Sequence, residues 1–334
     1  MTTNNKPYVV EESRGALKVY SDGTISRSIP SAFSPPIIDD PSVLHEQYTF
    51  HSLHNLPLRI YKPNTSTTTT TTDHKLPIFI FFHGGGFCIG SCTWPVFHNA
   101  CIALAAAIQA VVIAPDYRLA PEHRLPAAYE DAIDVLTWVK DRAVAREESG
   151  RWWTEVVDFG RVFIGGESAG GNISHHLAVR LRGGGGEKLE LGSVKVQGFV
   201  MVAPAFGGVE RTASEAEAEG AIGSFLSLEQ CDRNWKLCSP VGETRDHPFL
   251  NPFGPASPSL ELVSLEPILV VCGNEDMLRD RDRDYVNRLK NWGKKIEYKE
   301  IKGEQHGFMC NNLHSDGWTK LMELIKGIIA KNSD

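Results

Sequence analysis

The order of apolar runs constrains this chain most. Leu76 to Phe82, Ala110 to Ala114, Arg161 to Ile164, Val196 to Val202, Pro267 to Cys272 and Ile296 to Ile301 read as short strands, several of them apolar at almost every position. Segments with helical spacing fall between them: Phe97 to Ala107, Ala127 to Lys140, Asn172 to Arg182, Arg281 to Trp292, and a last one ending near Ala330. A strand that is apolar on both sides must be covered on both faces, and strand–helix alternation lays successive strands parallel. The predicted fold class is α/β, with a mostly parallel central sheet between helical layers. A chain of 334 residues is long enough to bury such a core.

The flanking segments are less regular. Residues 1 to about 45 carry little pattern and are broken by Pro30, Pro35, Pro36 and Pro41. His45 to Tyr61 reads as two strands joined near His54-Asn55, and the Thr65 to Thr72 tract as a solvated loop. Residues 207–246 interrupt the alternation. Their acidic stretch, Ser214 to Gly220, is expected to be a solvated loop around Glu215. Ser227 and Gln230 then make a capping-box signature, and Leu228, Cys231, Trp235 and Cys238 share one helical face. Such a helix either caps the site or simply packs on the core, and both can hold together.

Composition excludes several function classes. Asp and Glu outnumber Lys and Arg by 41 to 34 and no basic block stands out, which argues against nucleic acid as partner. The longest apolar stretch, Ala100 to Ala114, is interrupted by Gln109 and too short to span a membrane. The first residues, Met1 to Lys6, are polar and lack a signal-peptide core. Seven cysteines without a C-x-x-C pair read as reduced thiols. The expectation is a cytoplasmic protein, monomeric or weakly dimeric, acting on a small molecule.

The chemistry is concentrated at strand ends. Gly166-Glu167-Ser168-Ala169-Gly170 fits G-x-S-x-G, a nucleophilic serine on a tight strand-to-helix turn that tolerates no bulky Cβ nearby. A serine hydroxyl needs a base, an acid to hold the base, and donors for an oxyanion. His306 follows the Ile296 to Ile301 strand and is the expected base; His314 lies further along in a polar stretch. Asp276 follows the Pro267 to Cys272 strand and is the expected acid. Glu275 would point elsewhere, and Asp280, Asp282 and Asp284 read as a solvated helix start. Loops at the carboxyl ends of parallel strands share one sheet edge. His83-Gly84-Gly85-Gly86 follows another such strand, so the backbone N–H groups of Gly84 and Gly85, with that of Ala169, are the expected oxyanion donors. Phe33, Phe87, Phe206 and Trp235 are expected to line an apolar substrate pocket.

His83-Gly84-Gly85-Gly86-Phe87, Asp116-Tyr117-Arg118-Leu119-Ala120-Pro121-Glu122, Gly166 to Asn172, Asp246-His247-Pro248, Asp276 with Leu278-Arg279-Asp280, and His306-Gly307-Phe308 run from about residue 75 to the end. Together they resemble the hormone-sensitive-lipase-like branch of the α/β-hydrolases, and within it the plant carboxylesterases. The resemblance implies an eight-stranded α/β-hydrolase domain over residues 1–334, capped by residues 1–45 and 207–246. It implies serine-ester hydrolysis without cofactor or metal, with Ser168, Asp276 and His306 as triad. Similar plant gibberellin receptors lack the catalytic histidine, whereas His306 is present here. Plant isoflavanone dehydratases and lactone-forming transferases share the scaffold, and several of them keep the triad. A hormone-like binding protein and a lyase are therefore the alternatives to an esterase.

Overall fold

The apolar runs form the middle of an eight-stranded sheet. The structure is a computed structural model describing residues 6–64, 75–144, 151–183, 189–219, 224–265 and 267–332; the Thr65 to Thr72 tract lies outside them. The chain begins with three short strands, β1 (Val9–Ser13), β2 (Leu17–Tyr20) and β3 (Ile25–Arg27). Strands β4 (Val43–His51), β5 (Leu56–Pro63) and β6 (Leu76–Phe82) follow, then helix α1 (Pro95–Ile108) and strand β7 (Val111–Pro115). Helices α2 (Ala127–Val144) and α3 (Arg151–Val156) lead to strand β8 (Val157–Glu167), helix α4 (Ala169–Leu181) and strand β9 (Val196–Val202). Helices α5 (Ala213–Glu217) and α6 (Leu228–Cys238) precede strand β10 (Ile268–Gly273) and helix α7 (Arg279–Asn291). Strand β11 (Ile296–Ile301) and helices α8 (Phe308–Asn311) and α9 (Asp316–Lys331) complete the described chain.

The sheet order is β11-β10-β9-β8-β6-β7-β5-β4. Strands β6 to β11 run parallel, and β5 is antiparallel to both of its neighbours. Burial explains which strands sit where. Every residue of β7 and β10 is buried, and all of β6 but its first, so helices must cover both faces. Each such Phe, Ile or Val contributes roughly 1.5–3 kcal/mol relative to exposure. The edge strands differ: β11 alternates and β4 is mostly open to solvent.

Two regions depart from the sequence reading. The first residues are not patternless, because β1, β2 and β3 form a separate antiparallel sheet, with Ser13 opposite Leu17 and Leu17 opposite Arg27. These strands have three to five residues with Glu, Ser and Lys inside them, too short to show alternation. The acidic stretch is not a solvated loop around Glu215. It contains α5, started by a Thr212–Glu215 capping box. Glu215 is buried and takes two bonds from Arg281, at 2.7 and 2.9 Å. A cation 66 residues away thus makes burial of that acid possible. Asp282 is likewise buried rather than solvated. The Ser227–Gln230 capping box of α6 forms as expected, with Gln230 N donating to Ser227 Oγ at 3.2 Å.

Candidate active site

The site is built from strand ends on one edge of the sheet. Strand β8 ends at Glu167 and α4 begins at Ala169, leaving Ser168 alone to turn the chain. Its φ of 57° and ψ of −116° are strained for a residue with a Cβ. The Ser168 N–H donates to Val202 O at 2.9 Å, and its carbonyl accepts from Ala205 N at 2.9 Å. The glycines permit the turn by allowing close approach. A Cβ on Gly170 would sit 1.9 Å from Phe82 O, and one on Gly166 2.4 Å from Gly170 C.

Strands β10 and β11 present the other two groups. Asp276 follows β10 and is fully buried, with Oδ1 accepting from Leu278 N at 2.8 Å. His306 follows β11; its Nδ1 lies 2.8 Å from Asp276 Oδ2 and its Nε2 2.9 Å from Ser168 Oγ. Burial alone would lower the His306 pKa. The charge and hydrogen bond of Asp276, with the charge of Glu167, outweigh that, so the imidazole titrates above its ordinary value. A hydroxyl bonded to a neutral imidazole nitrogen can lose its proton as it attacks, and the carboxylate steadies the resulting imidazolium. Glu275 and His314 are exposed and take no part in this line.

Glu167 went unremarked in the sequence as more than a spacer. It is buried beside the serine, and its Oε1 accepts from Met309 N at 3.0 Å. That bond ties the end of β8 to α8, just after His306. Burial raises its carboxyl pKa, against the opposing influence of His306.

The glycine loop follows β6. Gly84 packs against the serine turn, since a Cβ there would lie 3.3 Å from Ser168 Cβ. Gly85 has a φ of 117°, and a Cβ would meet Ile89 O at 2.0 Å. Asp116 pins the loop from behind, accepting from Ser91 Oγ at 2.8 Å and Cys92 N at 2.5 Å. Tyr117 donates to His83 O at 2.9 Å and stacks on the His83 ring at 4.4 Å. Ala169 opens α4, where a first-turn N–H has no acceptor inside the helix.

Ser168, His306, Gly84 and Gly85 open into one cavity. Phe33 and Trp235 stand in its wall. Phe87 and Phe206 do not line it, which corrects the sequence expectation. Phe87 packs edge-on against Tyr117 and Tyr129, and Phe206 stacks on Tyr285 at 4.7 Å. Adjacency to a motif does not determine which way a side chain turns. Tertiary contact adds Arg14, Phe225 and Asn234, which no motif had marked. Among the described residues, only His51, Asp131 and Asp134 group tightly enough to hold a metal ion, and Arg118 Nε already binds Asp131 at 2.8 Å. No helix of the described residues is long and apolar enough to cross a membrane.

Residues 79–310 match the protein-family model for the alpha/beta hydrolase fold. The chain is 38% identical over 257 residues to the 3-O-acetylpapaveroxine carboxylesterase CXE1 of Papaver somniferum, covering 76% of this chain and 78% of the relative. It is 34% identical over 310 residues to the gibberellin receptor GID1B of Arabidopsis thaliana, covering 88% and 82%. With a 2-hydroxyisoflavanone dehydratase of Glycyrrhiza echinata it shares 32% over 315 residues, 92% of each chain. Among solved structures, the Pyrobaculum calidifontis esterase aligns at a TM-score of 0.70 with 27% identity, covering 90% of this chain and 87% of that one. The chain belongs to the α/β-hydrolase family, in the branch that holds plant carboxylesterases and gibberellin receptors.

Proposed function

We propose that the chain is a serine carboxylesterase that cleaves small carboxylic esters through an acyl-enzyme. The observation that carries this reading is the unbroken line from Ser168 Oγ through His306 to Asp276, with bonds of 2.9 and 2.8 Å. Ser168 attacks the ester carbonyl while His306 Nε2 takes its proton. Asp276 orients the ring and stabilises the imidazolium. The N–H groups of Gly84, Gly85 and Ala169 hold the oxyanion, and each such donor is worth about 2.7–4 kcal/mol of transition-state stabilisation. His306 then protonates the leaving alcohol, and water hydrolyses the acyl-enzyme by the same path in reverse.

Residues 1–45 and 207–246 act as the cap of a single domain. Small acyl groups are the expected substrates, in keeping with the acetyl ester in the name of the poppy relative. All seven cysteines are buried and unpaired, which suits a reducing, cytoplasmic setting. A pure binding protein of the receptor kind has no physical need for this Ser–His–Asp line, whereas a dehydratase would use it without adding water.

The test is hydrolysis of 4-nitrophenyl acetate, butyrate and octanoate by the purified chain, with Ser168→Ala and an organophosphate as controls. Saturable turnover, strongest on the short esters and lost in both controls, is expected. A folded chain that neither turns over these esters nor is labelled at Ser168 would overturn the reading in favour of a binder. A labelled Ser168 with a product lacking added water would overturn it in favour of a lyase.

A further inference from the structure

Arg14 brings into the cavity a positive charge that no described residue pairs. It sits at the tip of the β1–β2 hairpin, where Ala16 N donates to Ser13 O at 2.9 Å. Arg14 and Gly15 both have positive φ, 56° and 67°. Turns with two left-handed central residues favour Asn-Gly or Asp-Gly, so an arginine in the first position is strained. An exposed hairpin tip would have no need of it. Gly15 is exposed, but the Arg14 side chain turns inward and lines the same wall as Ser168 and His306.

Its surroundings are aromatic rather than acidic. The guanidinium carbon lies 3.9 Å from the ring centre of Phe225 and 4.9 Å from that of Phe33. Cation–π contact of this kind satisfies no N–H donor, and no described residue makes a hydrogen bond or an ion pair with the guanidinium. Burial pushes the group down to about 10, which reflects the lost hydration. Half-dry donors without acceptors are costly, and a ligand acceptor removes the cost. Arg14 is also the only Lys or Arg among the described residues of this wall. One guanidinium matches one planar, singly charged anion, whereas a doubly charged phosphate would call for more cations.

We propose that Arg14 recognises a carboxylate on the substrate, so that the preferred esters carry a second, ionised carboxyl group beside Phe33 and Phe225. The inference rests on Ser168 being the esterase nucleophile and adds the substrate class. Arg14 is a specificity residue that grips a part of the substrate remote from the reacting bond.

The test uses the full chain and two matched ester pairs. Monomethyl adipate and methyl hexanoate differ by a carboxylate on the acyl side. The 4-acetoxybenzoate anion and phenyl acetate differ by one on the alcohol side. Arg14→Gln removes the charge and keeps a polar end. It should lower kcat/KM by about 10- to 100-fold on the anionic member of at least one pair, the worth of a charge-assisted hydrogen bond. The neutral member should change much less, and an unchanged melting midpoint reports an intact fold. Arg14→Lys should keep part of the preference. Equal changes within both pairs, or none, would overturn the proposal. If the wild type hydrolyses neither member of either pair, the Ser168 reading has failed instead. Arg14 is then judged by calorimetry with benzoate and benzamide: a loss in Arg14→Gln confined to benzoate sustains the proposal, and equal benzoate binding by both proteins overturns it.

Discussion

At the sheet edge, each group proposed to act on the ester follows the end of a parallel strand. Ser168 follows β8, Asp276 follows β10, His306 follows β11, and the glycine loop follows β6. There is no room there for one more carbon, since a Cβ on Gly170 would lie 1.9 Å from Phe82 O. The roof over the cavity is held differently. Its hairpin and α6 meet through one buried bond, Ser13 Oγ to Asn234 Oδ1 at 3.0 Å. Around it run surface ion pairs, Glu11 with Lys236 and with Arg233, each worth about 0–1 kcal/mol. The edge and the roof divide the work. The first lines up the proposed reacting atoms, and the second, seated on the core through Leu17, Phe33 and Trp235, shapes what may enter.

Substitutions can break or sharpen that contrast. Ser168→Ala should remove turnover by about 10⁶-fold, as in the analogous protease series, while the melting midpoint stays close to that of the wild type. Substantial residual activity would remove the edge from the mechanism. Gly170→Ala should destabilise the chain by about 1–3 kcal/mol or more, because the added methyl collides with a backbone carbonyl that cannot move aside. An unchanged denaturation midpoint would show the edge to be looser than described.

The pH profile probes the edge more gently. His306 must be neutral to act as base, and its pKa is raised. The acid limb of kcat/KM should therefore be centred above the ordinary imidazole value of about 6.5. Glu167 is one cause of the raised value, so Glu167→Gln should move that limb to lower pH while keeping an acceptor for Met309 N. A limb that stays in place would assign Glu167 a purely structural role. The smallest effect is expected in the roof. Ser13→Ala should cost about 1 kcal/mol of stability and raise KM with little change in kcat. A large fall in kcat would mean that the roof also positions the reacting groups.

Local pattern was enough for the sheet and for the strand ends. Continuous apolar runs mark buried strands wherever they fall, and glycine-bracketed turns are readable because steric exclusion acts between near neighbours. Ser168, Asp276 and His306 were therefore singled out by position, and the structure brings them within hydrogen-bond reach of one another. Only tertiary structure could turn Phe87 and Phe206 away from the cavity, bury Glu215 against Arg281, or swing Arg14 under the roof. Those outcomes depend on partners far apart in the chain: Ser13 and Asn234 are 221 residues apart, and Glu215 and Arg281 are 66. Periodicity and motif spacing carry no information about such pairs. The sequence by itself determined where chemistry could occur, because that follows from backbone geometry over a few residues. What the cavity accepts was decided by packing between distant segments.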